Sequence, residues 1–478
     1  MEEKLTVGFI PVAAQFFLQG GVLKKDAPGF RWVEKSIKDM IGIIDKKHTV
    51  ISDGLITSVK EAELLKKKFI EKKVDVIVAT NIIWSEDQLL LKVIKELRDV
   101  PVLIWCYSPF IDIKNGLTMD DFVRATGPCG TYQSLPAIIR MGRKIKFLVG
   151  TPDEQSVQKE LNDFLDANVA VKKLRNSRIA LIPSRWDVQT DTIVDESMLT
   201  DIVGPEIVHF SVHDIKKFFD KIRDSEVDKH YKELKEKYEI EIVKEEVVKI
   251  SIKASLAMRD FSRHNEIDAI SYNENSPDLH EIIGLNPCIY LEDLYNHVKV
   301  IGMEGDLLNV TSLLILRYLT DDGIMFSEIL TIDRRDHFLL VGHPGNHDIK
   351  RLVDAHSDIR IVPDYEWKDS ELNIHGYEGA WMHFVARKGE TTVSQLLYHR
   401  CELKMIYIRA RSLNIKIIDY YPQATLQLPI ASDGFLYRAG KIGCGHHLTF
   451  AYGDVRGTLK DLAHLLGIKA IDIEKCIE

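Results

Sequence analysis

Short apolar runs alternate with amphipathic stretches through the first third of the chain. Leu5–Val12, Val74–Ala79 and Val102–Cys106 have the length and composition of buried strands. Between them lie segments such as Glu61–Lys73 (EAELLKKKFIEKK), whose apolar positions recur at helical spacing. Strand–helix alternation of this kind predicts parallel βαβ units, so residues 1–175 read as a doubly wound α/β domain. In such sheets ligands sit beyond the carboxyl ends of the strands.

A second strand signal, Arg178–Pro183 (RIALIP), opens another unit of the same kind. Its Lys/Glu-dense stretch from Lys221 to Lys249 reads as a solvated helix with i,i+4 charge pairs leading into a strand. A helix over Ser251–His264 and a strand over Ala269–Asn273 follow. Beyond residue 349 the character changes. Ala380–Lys388, Lys404–Ser412 and His446–Val455 are rich in aromatic and β-branched residues and suggest an antiparallel β domain, closed by a helix over Gly457–Ile468. The predicted fold class is α/β: two doubly wound α/β domains, 1–175 and 176–348, followed by a β-rich C-terminal domain, 349–478.

A chain of 478 residues is too long for a single ordinary core, which agrees with that division. The formal charge, 63 − 72 = −9, lacks the electrostatic footprint of a nucleic-acid binder. The six cysteines are scattered, without a C-x-x-C pair, so neither a disulfide framework nor a structural zinc site is indicated. The first residues lack a basic n-region and a cleavage site, and no apolar run reaches the roughly 18 to 20 residues that span a bilayer. The cytoplasm is the expected compartment. No G-x-G-x-x-G follows a strand and no P-loop occurs, so nucleotide-dependent chemistry has no support.

Three ionisable residues end apolar runs within 40 residues of one another. Glu304 follows Val298–Met303, Glu328 follows Ile324–Ser327 and His343 follows Phe338–Gly342. Each looks like the carboxyl end of a buried strand. If the strands are parallel neighbours, the three side chains converge on one crevice. Two carboxylates and an imidazole suit Mn²⁺ or a similar divalent ion better than a thiolate-selecting metal. The plainer readings are a helix N-cap for Glu304 with Asp306, a surface acid for Glu328 and a turn histidine for His343. Downstream, His446 and His447 stand between a Gly-rich turn and a strand, where alternation would turn one inward and one away.

The run M-E-G-D at 303–306, an acid 24 residues after Glu304, the G-H-x-G-N at 342–346 and the late G-H-H at 445–447 together resemble the L-arabinose/L-fucose isomerase superfamily. The similarity extends over most of the chain and is clearest at 252–348 and 440–468. The resemblance implies a Mn²⁺-dependent aldose–ketose isomerase. Glu304, Glu328, His343 and His447 would hold the metal, and Glu304 and Glu328 would also move protons. Gln15 and His446 are candidate substrate contacts. Sites in this superfamily are commonly completed by a neighbouring subunit, which implies a homo-oligomer, a hexamer or trimer. Where arabinose enzymes carry a histidine–glycine turn, this chain has Pro128 and Cys129, which leaves the sugar open.

The expected reaction moves a carbonyl between C1 and C2 of a free sugar through a metal-stabilised cis-enediol(ate). Asp333 and Asp348 are candidates to orient the histidines. Arg185, in S-R-W-D after the second unit's first strand, either recognises an anionic sugar substituent or pairs with an acid such as Asp187. The competing readings are an isomerase of a modified, acidic sugar, a non-catalytic sugar-binding or regulatory protein, and a metal-dependent aldolase or epimerase.

Overall fold

A computed structural model describes residues 3–19, 28–109, 111, 113–284, 288–354, 358–364 and 379–476. It divides into two compact units, Met1–Val169 and Ala170–Glu478. In the first, strands Thr6–Val12 (β1), Thr49–Ile51 (β2), Val76–Asn81 (β3), Val102–Cys106 (β4) and Ile145–Val149 (β5) form a parallel sheet in the order β2-β1-β3-β4-β5. The expected alternation of strand and helix is present. Strands β1, β3 and β4 are buried almost throughout, as the unbroken apolar runs require when helices cover both faces. The helix Val59–Glu71 starts at a capping box, in which Ser58 and Glu61 satisfy each other's backbone donors. It lays Ala62, Leu65 and Phe69 into the core against Ile10, Ile77 and Ile104.

The second unit begins with a parallel sheet. Arg178–Ile182 (β6), Glu206–His209 (β7), Ala269–Tyr272 (β9) and Val300–Gly302 (β10) lie in the order β10-β9-β6-β7, while Glu239–Ile240 (β8) belongs elsewhere. The remaining strands are Ile324–Asp333 (β11), Phe338–Gly342 (β12), Arg360–Pro363 (β13), Ala380–His383 (β14), Gly389–His399 (β15), Glu402–Ser412 (β16), Gln423–Gln427 (β17), His447–Tyr452 (β18) and Lys469–Asp472 (β19). Six of these run β15-β18-β11-β12-β17-β16 and close through a β15–β16 ladder into a barrel-like ring of antiparallel pairs. Strand β19 adds to β16 in parallel.

Two expectations are corrected here. β11 and β12 are not parallel neighbours of β10. They pair antiparallel with each other and belong to the ring. The apolar runs before Glu328 and His343 are buried on both faces, and such runs look alike in parallel and antiparallel sheets. The Ala380–Lys388 run supplies β14, which leaves the ring and pairs with β13, and β13 takes up β8 from more than a hundred residues upstream.

The helix Leu307–Leu319 (LLNVTSLLILRYL) links the two layers. It packs against β9 and β10 on one side and β11, β15 and β18 on the other. Its residues from Leu307 to Arg317 are all buried, which is why its sequence is apolar on every face. Each buried Leu or Ile contributes about 1.5–3 kcal/mol, so the helix's position is strongly fixed. Its N-terminus therefore holds Glu304 and Asp306 firmly beside the barrel end of β18.

Candidate active site

Glu304 leaves β10 in a left-handed conformation, φ 58°, followed by Gly305 at φ 65°. Backbone of this kind persists in a non-glycine residue only where the surroundings over-determine it. Here they do. The Glu304 N–H donates to Glu274 Oε2 at 2.7 Å, and its carbonyl accepts from Trp186 N at 2.9 Å. Gly305 lies against the Ser184–Arg185 backbone, with no room for a Cβ. The turn aims the buried Glu304 carboxylate at three imidazoles. Oε2 is 3.2 Å from His447 Nε2 and 3.6 Å from His446 Nε2, and Oε1 is 3.8 Å from His343 Nε2.

Each imidazole is oriented through its other nitrogen. His447 Nδ1 donates to Asp306 Oδ2 at 2.8 Å, and both side chains are 1% exposed. His343 Nδ1 donates to Pro344 O at 2.6 Å. His446 Nδ1 donates to Asp191 Oδ2 at 2.6 Å. All three Nε2 atoms are thereby presented to one place. Phe326 walls it, its ring centroid 4.7 Å from His447 and 5.1 Å from His343. Asp306 also caps the helix Leu307–Leu319, accepting from Asn309 N at 3.0 Å. The helix cap expected for Glu304 with Asp306 thus falls to Asp306, and Glu304 is left facing the imidazoles.

Glu328 stands within β11, directly across the ladder from His447 and, on its other side, from Gly342. It reaches the site laterally rather than from a strand end, and its Oε1 accepts from Tyr421 OH at 3.2 Å. The donor atoms fall into two overlapping sets, each within 4.8 Å: Glu304, His343 and His447, and Glu328, His446 and His447. The four residues expected to hold a metal are divided between these sets: Glu304 and His343 fall in the first, Glu328 in the second, and His447 in both. The fit to a cation rests on chemistry as well as proximity. His447 Nε2 is buried with no well-aligned hydrogen bond among the described residues and only the Glu304 carboxylate beside it, while its Nδ1 is taken by Asp306, the arrangement of a ligating histidine.

The charges are strongly coupled. Burial alone would raise the Glu304 pKa, but His343, His446 and His447 outweigh it and hold the carboxyl well below its usual range. Burial likewise works against protonated His343 and His446, yet Glu304 pushes His343 up to about 10, and Asp191 followed by Glu304 pushes His446 up to about 10. Glu274, fully enclosed beside Glu304, is pushed up to about 8 by burial and then by that neighbouring charge. His347 is lowered to about 4 by burial and donates to the His343 carbonyl; it does not reach the cluster's centre.

Sequence reasoning missed Glu274, Gln189 and Asp191. Glu274 closely follows β9, so the strand-end argument made for Glu304 also points to it, whereas Gln189 and Asp191 lie farther along the loop after β6. Gln189 Nε2 donates to Glu304 Oε2. Asp333 and Asp348 do not orient the histidines. Asp333 closes a turn through Arg335 N and Asp336 N, and Asp348 pairs with Arg351 at 2.6 Å. Asp306 and Asp191 do that work. Arg185 bonds the carbonyls of Trp186 and Gln189, bracing its own loop rather than pairing with Asp187. Gln15 is exposed at the start of the helix Gln15–Gln19 in the first unit. Pro128 and Cys129 begin the helix Gly127–Arg140.

Comparison with known proteins bears on this arrangement. Residues 195–320, which contain Glu274, Glu304 and Asp306, match the family described as the L-arabinose isomerase central domain. The sulfoquinovose isomerase of Priestia megaterium is 19% identical over 432 residues, covering 88% of this chain and 91% of that protein. The L-arabinose isomerase of Leuconostoc mesenteroides is 22% identical over 363 residues, 72% of each chain. A sulfoquinovose isomerase of Alkalicoccus urumqiensis is 19% identical over 412 residues.

Proposed function

We propose that this chain, an arabinose isomerase-like sugar isomerase at low identity to its relatives, interconverts an aldose and a ketose at the Glu304 cluster with the help of one divalent cation. The observation that carries the proposal is the convergence of Glu304, His343 and His447 on one point, with Asp306 fixing His447 from behind. Glu304, His343 and His447 would hold the ion, Mn²⁺ by the mixed oxygen and nitrogen donors, and Glu328 would complete the set from β11. When bound, such an ion stabilises negative charge developing on two adjacent sugar oxygens.

The reaction needs a proton removed from one carbon and returned to its neighbour. Glu304, from the β10 turn, and Glu328, from β11, each share a donor set with His447 and act as the acid/base pair. Glu304 faces the Nε2 atoms of His343 and His446, and a cation would displace the proton of a ligating ring. Phe326 and the buried Leu307–Leu319 helix keep one side of the site dry, which strengthens each of these interactions. The working enzyme is further proposed to be a cytoplasmic homo-oligomer, a hexamer or trimer, with His446 contacting the sugar.

The relatives act on two kinds of sugar, and the assay separates them. The purified chain is stripped with chelator, given Mn²⁺, and incubated with L-arabinose, L-fucose, D-arabinose or sulfoquinovose, and ketose is followed by NMR. Turnover of at least one aldose, abolished by chelation and restored by Mn²⁺, is the expected result. Absence of ketose with every sugar while Mn²⁺ is bound would reject the isomerase reading and favour a binding protein.

A further inference from the structure

We infer that Asp191 is a positioning residue, which pins His446 so that its Nε2 faces the sugar rather than the ion; this rests on the isomerase reading above. The loop that carries Asp191 follows β6 and is braced on both sides. Arg185 bonds the carbonyls of Trp186 and Gln189, Thr192 Oγ1 donates to the same Gln189 carbonyl at 3.2 Å, and Trp186 N donates to Glu304 O. From this frame a single oxygen, Asp191 Oδ2, accepts both His446 N–H at 3.1 Å and His446 Nδ1–H at 2.6 Å. Gly445 makes the approach possible, because a Cβ there would stand 2.9 Å from that oxygen and 3.2 Å from Gln395 Nε2.

The two adjacent histidines are thus served by two different carboxylates. Asp306 holds His447, whose side chain is 1% exposed; Asp191 holds His446, which is 34% exposed. The rings lie against each other at a tilt of 34°, with centroids 3.9 Å apart. His447 therefore sits on the closed side of Glu304 and His446 on the open side. His446 Nε2, 3.4 Å from Gln189 Nε2 and 3.6 Å from Glu304 Oε2, is where a hydroxyl or carbonyl oxygen next to Glu304 would find a partner. Of the polar contacts to this one-third-exposed ring, the one to Asp191 is the shortest, 2.6 Å against 3.4 Å and 3.6 Å for Gln189 and Glu304. Without Asp191 it would lose its orientation while His447 kept its own.

The test compares Asp191→Ala and Asp191→Asn with the unaltered full-length chain. Mn²⁺ affinity is read by calorimetry, and kcat and KM on whichever sugar turns over. The ring N–H of His446 is read by ¹⁵N NMR of the histidine-labelled, metal-free protein, assigned with His446→Gln. In Asp191→Ala we expect kcat/KM lower by about 10- to 100-fold, the range for losing a carboxylate behind a site histidine. Mn²⁺ affinity should be unchanged and the protected Nδ1–H signal lost; Asn, which retains an acceptor oxygen, should restore part of both activity and signal. Unchanged kcat/KM, or Mn²⁺ affinity falling in step with activity, would overturn the inference, the latter making His446 a ligand. If the unaltered chain turns over no sugar, the isomerase reading fails separately. The NMR signal then decides: an Nδ1–H that survives in Asp191→Ala overturns the positioning role.

Discussion

Replacing Asp306 by Asn separates its two tasks. The carboxylate caps the Leu307–Leu319 helix through Asn309 N and holds His447 Nδ1 at 2.8 Å with both partners buried. Asparagine caps helices about as well as aspartate, so the chelated protein should unfold in urea within about 1 kcal/mol of the unaltered chain. What Asn lacks is the charge that would make His447 a better ligand for the proposed ion. Loss of a carboxylate behind a ligating histidine lowers metal affinity about 10- to 100-fold, which is roughly 1.4–2.8 kcal/mol of binding free energy. Calorimetric titration of Mn²⁺ into the chelated variant measures it. Asp306→Ala is the contrast. It also forfeits the cap, about 1 kcal/mol, and strands buried donors at about 1–3 kcal/mol each, so its apo stability falls clearly below that of the Asn variant. Mn²⁺ bound by Asp306→Asn as tightly as by the unaltered chain would refute the reasoning, because His447 would then not be a ligand that depends on Asp306.

Two further outcomes follow from the same geometry. Gly305→Ala puts a methyl against the Ser184 carbonyl and 2.5 Å from Arg185 Cα at a φ of 65°. Left-handed strain and overpacking together should cost about 2–5 kcal/mol in urea unfolding of the chelated protein, and an unchanged midpoint would show that the turn is not constrained as described. Tyr421→Phe removes the hydroxyl that donates to Glu328 at 3.2 Å. One neutral-to-charged hydrogen bond, about 1.5–3 kcal/mol, should appear as a drop in kcat/KM with little change in thermal stability; equal loss of both would make the contact merely structural.

Much of this was readable from the chain alone, and the exceptions have physical causes. The first sheet and β6, β9 and β10 follow from continuous apolar runs separated by helical patterns. Glu304 was legible because its acid stands at a strand end before a helix apolar on every face. Glu328 and His343 stand out by residue type, but the parallel geometry expected for their strands is not the one that forms. IMFS and FLLVG carry no signal of strand direction, and β11 runs on past Glu328 to Asp333 in a ladder that only the folded ring reveals. β13, β14 and β8 pair across distances that no local pattern encodes. Asp191 reaches His446 across 255 residues of sequence, and Asp306 reaches His447 across 141. Such partners have no spacing to betray them. Glu274 was within reach of the strand-end rule, but its neighbours Asn273 and Asn275 make the segment read as an ordinary polar turn.

The most direct test of the central claim follows the hydrogen at C2 of an aldose that the protein turns over. The sugar is labelled with deuterium at C2 and incubated with the Mn²⁺-loaded chain in H₂O, and the ketose is examined by NMR and mass spectrometry. Proton transfer by Glu304 and Glu328 predicts that label is lost to solvent and solvent hydrogen appears at C1, with Glu304→Gln and Glu328→Gln each slowing ketose formation by about 10²- to 10⁴-fold. Complete carriage of the deuterium from C2 to C1, with turnover surviving in both glutamine variants, would contradict the assignment, since the hydrogen would then move without either carboxylate.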